Sequence, residues 1–128
     1  MTIMFSSGII AGSTSRSINF ILRKTSDNTE QTNKVAADMS AYYVRQGGNP
    51  VAISLSNLVS IDADWSSGGV IEEDDTHLKG TYRLDLPNAA IATGADWVEV
   101  AVTVTGCYVF HERFPLTTPA NGAVWYTR

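Results

Sequence analysis

Residues 80–106 read GTYRLDLPNAAIATGADWVEVAVTVTG, and this stretch decides the fold. After Gly80, Tyr82, Leu84 and Leu86 point one way and Thr81, Arg83 and Asp85 the other. That two-residue period marks a strand with one face on a core and one in water. Pro87 ends it, because proline has no N–H for a sheet ladder and presets a turn dihedral. Asn88, Ala89, Ala90, Ile91 and Ala92 leave room for one short helical turn at residues 88–92, before Gly94 terminates it. A second strand follows, with Val98, Val100, Val102 and Val104 on one face and Trp97, Glu99, Ala101, Thr103 and Thr105 on the other. Strictly alternating β-branched side chains imply a buried face. Two strands joined by so short a turn predict a corner between the two layers of a sandwich.

The whole chain, residues 1–128, reads as one domain, long enough to bury a core without disulfide or metal staples. Its formal net charge is −4 and its nine basic residues are scattered. Binding to nucleic acid or an anionic membrane calls for clustered Lys and Arg, so neither is an expected partner. Cys107 is the single cysteine, which excludes an intramolecular disulfide and a multi-cysteine zinc site. The N-terminal MTIMFSSGIIAGS lacks the basic start and long apolar run of a secretory signal. No segment approaches the roughly 20 apolar residues of a membrane-spanning helix. The expectation is a soluble protein made in the cytoplasm.

Outward from the central stretch, residues 17–24 read as a strand with Ile18, Phe20 and Leu22 inward. Residues 25–34 form a polar loop and residues 35–40 a short helical turn. Residues 41–46 resume as a strand, with Tyr43 and Arg45 on one face and Tyr42 and Val44 on the other. Gly47, Gly48, Asn49 and Pro50 reverse the chain into residues 51–55, completing a hairpin. Leu58, Val59 and Ile61 suggest a further short strand, whereas Asp62, Asp64, Trp65 and the following Ser-Ser-Gly-Gly suggest a loop with an aromatic plug. Residues 70–75 begin apolar and end in a charge run, and residues 107–114 are the expected last strand. The fold class is therefore all-β: an immunoglobulin-like antiparallel β-sandwich of about seven strands, with a small barrel as the alternative.

Two terminal segments, residues 1–12 and 115–128, read either as edge strands of this domain or as extended docking arms. Met4, Phe5, Ile9, Ile10, Trp125 and Tyr126 are the candidate interface residues, because apolar side chains at chain ends require something to pack against.

The sequence offers no recognisable chemistry. His77 and His111 lie in no catalytic motif, and Cys107 beside Gly106 reads as a small buried hydrophobe. Asp62, Asp64, Glu72, Glu73, Asp74 and Asp75 flank a turn without matching a calcium-loop spacing, so a solvated acidic turn is expected, with neither metal nor cofactor. Tyr42, Tyr43, Trp65 and Trp97 offer aromatic surface for sugar stacking or for core packing.

One resemblance is carried by residues 17–106. The pattern GxYRLDLPxAAxAxGADxVxV, here Gly80, Tyr82 to Pro87, Ala89, Ala90, Ala92, Gly94 to Asp96, Val98 and Val100, with Tyr43, Val44, Arg45 and Gly47, resembles a domain of tailed-bacteriophage structural proteins. It is similar to the immunoglobulin-like domain of baseplate and fibre proteins. The resemblance implies a non-enzymatic virion component. As a short chain with no large downstream domain, it further resembles a capsid cement or decoration protein, bridging major capsid protein subunits, with a homo-oligomer, a trimer foremost, on the capsid surface. A tail, neck, baseplate or fibre adaptor is the alternative, and a carbohydrate-binding module is the alternative from another class.

Overall fold

A computed structural model describes residues 8–118. Nine strands follow one another: β1 Ile9–Ile10, β2 Ser17–Ile21, β3 Met39–Arg45, β4 Val51–Ile53, β5 Ser56–Asn57, β6 Gly69–Asp74, β7 Leu78–Asp85, β8 Trp97–Val104 and β9 Phe110–Thr117. They form a five-stranded sheet ordered β1-β9-β8-β3-β4 and a four-stranded sheet ordered β2-β7-β6-β5. Both sheets are open, an arrangement consistent with a β-sandwich rather than the barrel alternative. The described residues contain no α-helix, only 3-10 turns at Ala36–Asp38 and Asn88–Ile91.

The central stretch folds as its alternation dictates. β7 belongs to the four-stranded sheet and β8 to the five-stranded one, and Pro87 with the second 3-10 turn carries the chain between them. Tyr82, Leu84 and Leu86 from one layer meet Val98, Val100, Val102 and Val104 from the other in a single buried cluster, with Ile18, Phe20, Tyr43 and Phe114. Phe20 stacks on Tyr82 with ring centroids 5.3 Å apart. The Tyr82 hydroxyl donates to the carbonyl of Gln31 (2.7 Å) and accepts from the backbone N–H of Lys34 (3.2 Å). Thus the loop after β2 is fastened to the core by its own hydrogen bonds. Burial raises the Tyr82 phenol to about 12, since the ring sits where a phenolate would lose its water.

Several expectations need correction. The sheets are mixed, not antiparallel throughout: β1 pairs parallel with β9, and β5 parallel with β6. Strands of two residues have too few side chains to display a period, so the sequence gives no signal for them. The strand expected from Leu58, Val59 and Ile61 lies instead at Ser56–Asn57, and Val59 is 94% exposed.

The last strand begins at Phe110, not at 107. Gly106 turns with φ +83°, Lys24 bridges to Cys107, and the N–H of Tyr108 donates to the Arg23 carbonyl, so residues 106–108 close against the end of β2. Nor does Pro115 end that strand. The N–H of Leu116 donates to the Asp96 carbonyl, which places even-numbered β9 residues on the β8 ladder. The missing donor of Pro115 therefore falls on the side β8 does not use.

On the outer face of the four-stranded sheet, the outward positions of β7 are not solvated as alternation suggests. Asp85 is fully buried beneath residues 61–66. Its carboxylate accepts from Arg83 Nε (2.8 Å) and Nη2 (3.0 Å), from Ser17 Oγ (2.6 Å) and from the Ser66 N–H (2.9 Å). Arg83 spends its remaining donors on the carbonyls of Ile61 (2.7 Å) and Ala63 (3.0 Å). Gly68 closes the loop with φ +78°, and a Cβ there would sit 1.9 Å from the Ser54 carbonyl oxygen.

Burial on its own would raise the Asp85 pKa, but the Arg83, Ser17 and Ser66 donors outweigh it and hold the carboxyl below its ordinary value. A group lowered in the folded state contributes stability that is complete above its unfolded pKa of about 3.9. That contribution disappears as pH falls through the folded value. Asp85→Ala is expected to cost about 3–5 kcal/mol, because it removes the buried acceptor shared by the largely covered Arg83 guanidinium, the Ser17 hydroxyl and the Ser66 N–H. The variant should also lose part of the wild-type loss of stability below about pH 4. Urea denaturation of both proteins across that range checks both points.

Candidate functional site

The candidate interface residues that can be placed lie at one edge of the five-stranded sheet. β1 holds Ile9 beside Leu116 and Ile10 beside Thr117. Ile9 is half-buried and packs on the core, whereas Ile10 is exposed. Backbone bonds from Ala11 to Thr117 and from Gly12 to the Ile91 carbonyl, each 2.8 Å, seat the segment. The segments set aside as possible arms, 1–12 and 115–128, thus contribute strand residues Ile9–Ile10 and Pro115 to Thr117 to this sheet. Met4, Phe5, Trp125 and Tyr126 lie outside the described residues. A cleft of about 300 Å³ lined by Gly8, Ile9, Ile10, Arg16 and Ser17 opens between β1 and the start of β2.

The uncovered face of the five-stranded sheet carries the outward alternates of β3, β8 and β9. Register places Tyr42 beside Ala101, Ala101 beside His111, and Glu99 between Val44 and Arg113. Glu99 accepts from Arg113 Nη2 (3.2 Å) and lies 3.2 Å from His111 Nδ1. The Arg113 guanidinium lies 3.8 Å from the centre of the Trp97 ring. Cation–π attraction and the Glu99 pair therefore hold that arginine flat on the sheet. The sequence gives no sign of this cluster, because its β8 and β9 members are 12 to 16 positions apart and meet only through the β8–β9 register.

The aromatic candidates separate by face. Tyr43 is core, as its alternation implied, and Tyr42 is 47% exposed. Trp65 is half-buried, with Nε1 donating to the Arg16 carbonyl at 3.2 Å. It serves as the plug of its loop. Tyr42 is left as the exposed ring among the four, which is a poor platform for stacking a sugar.

The acidic run does not converge on a point. Glu72 accepts from the N–H groups of Asn33 and Gly80, Glu73 from the Asn19 amide, and Asp74 from the N–H groups of Thr76 and His77. Each carboxylate has its own partners: Glu72 joins the loop at Asn33 to β7, Glu73 reaches β2, and Asp74 holds the β6–β7 turn. The Asp74 bonds to Thr76 and His77 lower its pKa. Among the described residues no group of three or more His, Cys, Asp or Glu is placed to hold a metal ion.

His77 lies in the β6–β7 turn against Asp74, and His111 on the outer face of the other sheet against Glu99. Cys107 is half-buried against the core, its Sγ 3.9 Å from Gln31 Oε1. The structure does not bring these three together.

The residues that carry the resemblance have local structural duties. Arg45 donates from Nη1 to the Ala89 carbonyl (2.8 Å) and from Nη2 to the Thr93 carbonyl (2.9 Å), pinning the corner to β3. Gly80 sits at φ +78°, where a Cβ would lie 2.9 Å from the Leu22 carbonyl oxygen. The Asp96 N–H donates to Gln46 Oε1 at 2.7 Å. Comparison with known proteins adds nothing to this: no protein-family model, no curated protein and no solved structure matches the chain.

The neighbours Tyr42 and Tyr43 test the face assignment. Tyr43→Ala opens a core cavity and is expected to cost about 3–5 kcal/mol. Tyr42→Ala should stay within about 0.5 kcal/mol of wild type. Thermal unfolding of the two variants measures the difference.

Proposed function

We propose that this chain is a non-enzymatic structural protein of a tailed-bacteriophage virion. In this reading it is a capsid cement or decoration protein, made in the host cytoplasm, which stabilises the head by bridging major capsid protein subunits. The sandwich is the mounting block and the chain ends supply the grip. One observation carries the reading. The parallel β1–β9 pair sets Ile9 against Leu116 and Ile10 against Thr117, so the first and last described strands share a single sheet edge. In this reading Met4, Phe5, Trp125 and Tyr126 are the side chains that grip the neighbouring subunit. Extended segments of this kind bind by adding backbone ladders and inserting aromatic anchors into a neighbour.

The strand order also supports the immunoglobulin-like form of the sandwich. With β2, β3, β4, β6, β7, β8 and β9 taken as strands B, C, C′, D, E, F and G, one sheet reads B-E-D and the other G-F-C-C′. The chain departs from antibody domains in having a single cysteine, so hydrophobic packing takes the place of the inter-sheet disulfide. A tail, neck, baseplate or fibre adaptor would use the same block at a different place on the particle. A carbohydrate-binding role is disfavoured by the engagement of Trp65 with Arg16 and of Trp97 with Arg113.

Removal of residues 1–7, or of residues 119–128, is expected to leave a folded sandwich that no longer binds phage heads. Co-sedimentation with purified heads, alongside circular dichroism of each truncated protein, measures this. Undiminished binding by both truncated proteins would contradict the proposal, and binding to isolated tails instead of heads would favour the adaptor.

A further inference from the structure

We draw no further inference here: the strongest candidate, the outer face of the five-stranded sheet around Tyr42, Trp97, Glu99 and Arg113, is uncovered among the described residues, and nothing in the structure shows what covers it.

Discussion

The ion pair between Arg83 and Asp85 is the constraint on which the outer layer of this molecule depends. A strand that alternates apolar and polar residues ordinarily leaves its polar side to water. Here residues 58–68 cross that side, and their backbone needs partners that a hydrophobic lid would not supply. The pair supplies them. Asp85 takes the Ser66 N–H, while Arg83 takes the carbonyls of Ile61 and Ala63. A buried ion pair is weak evidence for net stability, because desolvation offsets its attraction. Its value here lies in geometry: every oxygen and every guanidinium nitrogen is assigned, so one loop position satisfies the set.

The same logic accounts for the residues that carry the phage resemblance. Gly80 permits a close approach, Tyr82 fills the core and ties down the loop after β2, Arg83 and Asp85 seat the outer loop, and Arg45 clamps the corner. These are demands of the fold, and a sequence pattern built from them reports architecture before it reports a partner. The surfaces the pattern leaves out are the β1–β9 edge, where the first and last described strands pair, and the face around Tyr42, Glu99 and Arg113.

Where side chains alternate over five residues or more, the sequence was legible. β2, β3, β7 and β8, the β3–β4 hairpin and the corner at Pro87 follow from period and punctuation. β1 and β5 were not legible in their pairing, since two residues have no period and their parallel direction depends on distant neighbours. The start of β9 was misplaced because Cys107 and Tyr108 alternate plausibly with Phe110, yet their backbone is drawn onto Lys24 and Arg23. Of the candidate interface residues, Ile9 and Ile10 form the edge strand that their apolar character allowed. The burial of Asp85 had no local signal, since an Arg and an Asp two positions apart look like any solvated face until the loop arrives.

Native-state hydrogen exchange at Ser66 and Gly68 bears most directly on this account. Both amides donate to Asp85, one to its carboxylate and one to its carbonyl. With the loop fixed by the buried pair, they should exchange only through the unfolding that also opens the Val100 and Val102 amides. Exchange at the rate of an open surface loop, with the valine amides still protected, would mean that the pair does not hold the outer layer in place.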